Sequence, residues 1–245
     1  MRGRALWLAK EGSHTDEWED ACGYSESRGT FSVADGASSA PRAHEWASQL
    51  VASFVLTSEP PLDLASFERC VNGAAQAFMS RASQSSESDA WYVREAASRS
   101  SYATFLGLRV RAHGRQGAWE AVAVGDTCLF RVREGKLLGS FPLQSPDEFN
   151  PTPSLIPSSR GGNASGLNPS MAAGACRAGD VFLLASDALA QWALATARDD
   201  ASVWYVLASI RSTMFRQMVA DLRATGAMVN DDVTLLRCCM TGDRG

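Results

Sequence analysis

Four short acidic signals constrain this chain more than anything else in it, and each falls where an apolar, strand-like run breaks: Glu19-Asp20, Asp35-Gly36, Ser186-Asp187 and Asn230-Asp231-Asp232. Carboxylates carried to one place by the ends of distant strands repel one another unless cations lie between them. The pattern therefore points to a site for hard divalent cations, magnesium or manganese, which take oxygen ligands. Singly, each signal has a plainer reading. Asp-Gly is an ordinary turn, Ser-Asp an ordinary helix cap, and Glu-Asp a common solvated pair. Only as an ordered set do they point to chemistry.

The rest of the chain narrows the field. With 245 residues, 45% of them hydrophobic, it can bury a substantial core as one domain, 1–245, and no linker divides it. A net charge of −4 gives no attraction for nucleic acid or an anionic membrane. The first ten residues are too short and interrupted for a signal peptide, and no later apolar run reaches transmembrane length, so a cytoplasmic protein is expected. The six cysteines (Cys22, Cys70, Cys128, Cys176, Cys238, Cys239) contain no CxxC pair. Adjacent Cys238 and Cys239 point to opposite faces of a strand, so reduced thiols are expected rather than disulfides or zinc ligands.

Periodicity places strands at 4–9 and 29–34. A helix follows Pro41, with Trp46, Leu50 and Phe54 on one face, and a second covers 62–81 before a polar loop to residue 89. The middle changes period. Runs at 102–110, 118–124, 127–133 and from 136 onward read as an antiparallel meander, with Gly125-Asp126 between two strands and the Asp126 side chain at the sheet end. Residues 140–169 are rich in Pro, Ser, Asn and Gly, and a loop of that length is more often functional than idle. A strand at 179–185, helices at 189–196 and 201–225, and a strand at 233–240 complete an α+β layered domain. No phosphate-binding glycine loop occurs.

With elements in this order, the chain resembles the metal-dependent protein phosphatases of type 2C, the PPM family, as a divergent bacterial-type member. The resemblance runs from Glu19 to about Leu236. It rests on Glu19-Asp20-Ala21, Val33-Ala34-Asp35-Gly36, Ala103-Thr104, Ala123-Val124-Gly125-Asp126-Thr127, Asp180 through Asp187, and Asp231-Asp232-Val233-Thr234-Leu235. It implies two packed antiparallel β-sheets flanked by helices, with metals in a cleft at one end. It further implies that Asp35 bridges two ions and that the Gly36 carbonyl binds the second. Asp187 and Asp231 would complete the first ion, Glu19 and Asp20 would serve the second or its waters, and Asp126 would join Asp187 around a third. The implied activity is hydrolysis of phosphoserine or phosphothreonine in a protein partner by water bridging two Mg2+ or Mn2+ ions, with Asp35, Asp187 and Asp20 central and residues 140–169 as a flap beside the cleft. No cysteine nucleophile is needed.

Three departures bear on activity. The family's phosphate-gripping arginine, about five positions before the second acidic residue, is Thr15 here, and Arg28, Arg42 and Arg160 are the candidates to replace it. The glycine pair that usually follows Asp-Gly, often led by His or Met, reads Ala37-Ser38-Ser39-Ala40. The usual Ser-Asp-Gly and Asp-Asn are Ser186-Asp187-Ala188 and Asp231-Asp232, so either Asp231 or Asp232 is the ligand. Of three histidines, His14 is a candidate proton donor or simply solvated, His44 reads as helix surface, and His113 lies in a turn. A pseudophosphatase that keeps the fold as a binding module is the alternative reading.

Overall fold

The computed structural model describes residues 1–13, 17–38, 40–57, 59, 62–84, 100–159 and 167–241. In chain order the elements are β1 (Arg2–Leu8), β2 (Ala21–Ser25), β3 (Thr30–Ala34), α1 (Ala43–Leu56), α2 (Leu64–Gln84), β4 (Tyr102–Ala103), β5 (Phe105–His113), β6 (Gln116–Val124), β7 (Cys128–Arg133), β8 (Lys136–Phe141), β9 (Ile156–Pro157), β10 (Ser170–Arg177), β11 (Asp180–Ala185), α3 (Asp187–Thr196), α4 (Val203–Ser209), α5 (Ser212–Ala224) and β12 (Val233–Cys239).

The strands form two five-stranded antiparallel sheets, ordered β1-β12-β11-β7-β8 and β10-β6-β5-β3-β2, and β4 pairs with β9 apart from them. Alternation along the strands stacks these sheets. Phe31 and Val33, Leu106 and Leu108, Phe182 and Leu184, and Leu236 and Cys238 meet between the sheets. The intervening residues face outward onto helices. Phe105, Val122 and Val124 pack under Trp46, Phe54, Phe67 and Phe78 of α1 and α2. Leu183, Ala185, Val233 and Leu235 pack under Leu189, Trp204, Phe215 and Val219 of α3 to α5. Central strands buried on both faces read as continuous apolar runs, as 180–185 does. Helix α1 lies close on its sheet at Gly107, where an added Cβ would come within 2.6 Å of the Phe54 ring. The expected sandwich of two antiparallel sheets flanked by helices is the fold.

Several elements differ from expectation. The meander is split, because β5 and β6 belong to one sheet while β7 and β8 belong to the other. The crossing falls at Gly125, whose φ is +92° and where a Cβ would meet Thr104 Cγ2 at 2.7 Å and Ser154 O at 2.8 Å. Glycine alone allows that turn. The run 102–110 breaks at Thr104 into β4 and β5. Strands β2 and β10 were not expected. The latter, Ser-Met-Ala-Ala-Gly-Ala-Cys-Arg, is built largely of small residues with weak strand preference. The helix expected over 201–225 is two, separated by extended backbone at Ile210 (ψ 141°) and Arg211 (ψ 159°). Helix α2 begins after Asp63, whose Oδ1 accepts from Ser66 N at 3.0 Å as a cap.

Of the long loop, 140–159 is described and contains the end of β8, a 3-10 turn at Pro146–Glu148 and β9. Residues 160–166, with Arg160, and the polar stretch from 85 to 89 lie outside the described residues. All six cysteines are free, with Cys238 buried between the sheets and Cys239 half-buried on the other face. Among the described residues no helix is long and apolar enough to cross a membrane.

Candidate metal centre

Antiparallel pairing turns distant sequence signals into neighbours. Asp20 precedes β2 and Asp35 follows its partner β3, while Asp187 follows β11 and Asp231 precedes its partner β12. Asp126 follows β6, at the crossing between the sheets. All five stand at one end of the sandwich, where their charges oppose one another. Burial, then the charges of Asp20, Asp187, Asp231 and Asp126, hold the Asp35 carboxyl well above the usual carboxylate range. The charges of all four others thus act on Asp35. Burial first, then Asp232 and Asp187, raises Asp20 to about 8. Burial first, then Asp126 and Asp231, raises Asp187 to about 7. Burial raises Asp126 to about 6.

The backbone around Asp35 is fixed from two sides. Thr104 N donates to Asp35 O at 2.8 Å, Asp35 N donates to Thr104 Oγ1 at 3.3 Å, and Thr104 Oγ1 meets Thr127 Oγ1 at 2.7 Å. Gly36 is wedged: a Cβ there would lie 2.7 Å from Glu19 O and 2.8 Å from Ala43 C. Asp187 opens α3, and Ser186 just before it accepts from Thr234 N at 2.9 Å through Oγ, tying β11 to β12 at the site.

Asp20 is fully buried. Its Oδ2 accepts from Thr234 Oγ1 at 2.6 Å, and its backbone oxygen accepts from His44 Nδ1 at 2.9 Å. Because that oxygen can only accept, Nδ1 carries a proton, and Nε2 lies 3.3 Å from Ser48 Oγ. His44, expected on the helix surface, is half-buried on α1 with its ring centroid 5.7 Å from that of Trp18. Asp20 Oδ1 is buried with no hydrogen-bond partner.

The adjacent pair 231 and 232 divides its labour. Asp232 is buried, accepting from Lys10 N at 2.8 Å through Oδ1 and from Glu19 N at 2.6 Å through Oδ2. It fastens the end of β1 to the start of the acidic segment. Asp231 is half-buried and acts on Asp35 and Asp187. Arg223 of α5 holds the surrounding backbone, donating to Ala9 O at 2.9 Å and to Asp231 O.

Glu19 carries a cation already. Lys10 Nζ lies 2.8 Å from Glu19 Oε2 and 3.4 Å from Ser38 Oγ, and Ser38 Oγ also bonds Glu19 Oε2. Lys10 is 28% exposed at the acidic end. Two of the three arginines that could grip a phosphate, Arg28 and Arg42, are elsewhere. Arg28 sits in the turn between β2 and β3, at the other end of those strands, and Arg42 is bound to Glu45 at 2.6 Å and lies over the Phe78 ring. His14 and Thr15 lie outside the described residues.

Among the described residues no group of three or more His, Cys, Asp or Glu side chains is placed so that it could hold a metal ion. The donor chemistry nevertheless fits a hard divalent cation: crowded carboxylates, and a buried Asp20 oxygen lacking any partner. Protons and divalent cations are the two means of relieving that crowding. Lys10, Ser38, Thr104, Thr234 and Arg223 were missed as site residues in the sequence. Only Thr104 and Thr234 carried a signal, standing inside the motif fragments already noted.

No protein-family model and no curated protein sequence matches the chain. Solved structures do. PppA, a key regulatory component of T6SS in Pseudomonas aeruginosa, is 22% identical with a TM-score of 0.60 over 96% of both chains. The catalytic domain of the serine/threonine protein phosphatase PstP, in complex with two manganese ions, is 16% identical with a TM-score of 0.64 over 98% of both chains. The PPM Ser-Thr phosphatase MsPP from Mycobacterium smegmatis, in complex with cacodylate, is 18% identical with a TM-score of 0.59 over 99% of both chains. The arrangement of strands and helices identifies the fold of this chain as that of the metal-dependent, type 2C serine/threonine phosphatases.

Proposed function

We propose that this chain is a single-domain, metal-dependent phosphatase acting on phosphoserine or phosphothreonine of a protein partner in the cytoplasm. The observation that carries the reading is the convergence of Asp20, Asp126, Asp187 and Asp231 on Asp35, each contributing to a crowd of carboxylates at one end of the sandwich. Asp35, Asp187 and Asp231 would hold one Mg2+ or Mn2+ ion. Asp35, the Gly36 carbonyl, Asp20 and Glu19 would hold a second ion or its waters, and Asp126 with Asp187 a third. Bound ions of this kind supply a water acidified to hydroxide and a positive surface for a phosphate dianion. The chain's own residues do the rest. Thr104 and Thr127 fix the Asp35 backbone, Thr234 orients Asp20, and Asp232 and Arg223 anchor the loop that bears Asp231.

In this reading Lys10 takes the part of the absent arginine at position 15. An ammonium has three N–H donors, and Glu19 and Ser38 engage two. Among the described residues nothing takes the third, which would reach a phosphate oxygen at the cleft edge as a point charge rather than a planar fork. Residues 140–169 would form the flap beside it. The test is turnover of p-nitrophenyl phosphate and a phosphopeptide by manganese-loaded protein, with Asp35→Asn abolishing both. Turnover unchanged by that substitution would refute the site.

One observation favours a second reading. Lys10 already neutralises Glu19, which is what a binding module with a weakened second ion site would require. Such a pseudophosphatase would bind manganese tightly and turn over no phosphoester.

A further inference from the structure

The end of the sandwich remote from the acidic cluster carries the opposite charge. Two hairpin turns, 114–115 between β5 and β6 and 134–135 between β7 and β8, lie there with the turn 178–179 that carries the chain from β10 of one sheet to β11 of the other. They surround a cavity of about 480 Å³ lined by Arg115, Gln116, Arg133, Glu134, Arg177 and the 178–179 backbone. Strand β6 separates it from Asp126 by eight residue steps, about 27 Å of extended chain.

The three guanidinium groups differ in how they are held. Asp180 is fully buried and accepts from Arg133 Nε at 2.5 Å, lies 3.5 Å from Arg131 Nε, and accepts from Arg177 N at 3.2 Å. That pairing engages the Nε edge of Arg133 and leaves its terminal nitrogens for the cavity. Arg131 is directed away, donating to Ala175 O at 2.8 Å. Among the described residues Arg115 and Arg177 have no carboxylate partner, and the Arg115 turn is pinned by Ala178 N donating to Arg115 O at 2.8 Å. Among the described residues Glu134 is the one carboxylate that lines the cavity. One anchored and two unpaired guanidinium groups around a space larger than a phosphate form a site for a tetrahedral dianion, because planar forks bind its oxygens in pairs.

We propose that this basic cavity binds a tetrahedral phosphate dianion, as a second site that acts independently of the acidic end. The reading of the acidic end as a phosphatase is not required for it. The chemistry is shared by free phosphate and a phosphorylated side chain, and titration separates them. Full-length protein freed of divalent metal with a chelator is titrated by calorimetry with inorganic phosphate and with a phosphoserine peptide. Saturable binding is expected, with a Kd on the order of 1 mM or tighter. A peptide that binds tighter than phosphate identifies a docked phosphoprotein, and equal constants identify the free ion. The double substitution Arg115→Ser with Arg177→Ser should weaken binding by at least about tenfold, and Glu134→Gln should strengthen it several-fold. Asp35→Asn should leave it unchanged, which separates failure here from failure of the phosphatase reading. Absence of saturable binding, or equal affinity in the double variant and the wild type, would overturn the proposal. If the double variant melts early, a Glu134→Gln protein that binds no more tightly than wild type overturns it instead.

Discussion

Thr234 donates its hydroxyl to Asp20 Oδ2 at 2.6 Å, joining β12 of one sheet to the residue that precedes β2 of the other. This bond acts against the burial that raises Asp20, since it favours the charged carboxylate. With Oδ1 unpartnered among the described residues, this bond anchors that side chain. Thr234→Val should therefore destabilise the metal-free protein by about 1–3 kcal/mol, measured by urea unfolding, and should weaken manganese binding. An unchanged midpoint would show that the bond carries no weight.

The raised carboxylates predict an inverted pH dependence. Unfolded, these groups titrate near the ordinary carboxylate value; folded, Asp126, Asp187 and Asp20 hold protons to about 6, 7 and 8. Between those limits the folded state binds more protons than the unfolded one, so stability falls as pH rises. The contribution is fully present below the unfolded value and is lost as pH climbs through the folded values. The melting temperature of metal-free protein should fall by about 5 °C or more as pH rises across that interval, and saturating manganese should remove the fall. A flat or rising metal-free profile would contradict the crowding.

Asp231 and Asp232 should respond oppositely. Asp232→Asn places an amide nitrogen where one of two backbone N–H groups now donates, and should cost about 2–3 kcal/mol of stability in urea unfolding. Asp231→Asn removes a charge that repels Asp35 and Asp187. It should leave the metal-free protein as stable or slightly more stable, while weakening manganese binding by about tenfold or more. The same signs for both would sink the assignment of one to structure and the other to the site.

Lys10→Met should raise the inhibition constant of inorganic phosphate and the KM for phosphopeptide by about tenfold, because one charged hydrogen bond is removed. Manganese stoichiometry measured by calorimetry should stay the same. An extra ion bound by the variant would show instead that the ammonium occupies a metal position.

Much of this was legible in the chain. Runs such as 180–185, apolar on both faces, read as buried strands, and helix-spaced Trp46, Leu50 and Phe54 read as the packed face of α1. The acidic residues at strand ends were visible because turns and strand breaks have their own chemistry. What escaped depends on tertiary pairing. Strand β10 is built largely of small residues with weak strand preference and is defined by its register against β6. The split of the meander rests on one glycine turn at residue 125, which in sequence looks like any hairpin. Lys10 and Arg223 gave no local signal, since a lysine after a strand and an arginine near a helix end are ordinarily solvated. Asp231 and Asp232 were indistinguishable in sequence and became distinct only when the backbone N–H groups of Lys10 and Glu19 met one of them.

Calorimetric titration of manganese into metal-free wild type and Asp35→Asn, in two buffers of different ionisation enthalpy, tests the central claim most directly. The account predicts that wild type binds at least two ions, with protons released as the carboxylates charge, and that Asp35→Asn loses affinity by about a hundredfold. Wild type that binds no manganese, or a variant that binds it equally well with equal proton release, would contradict it.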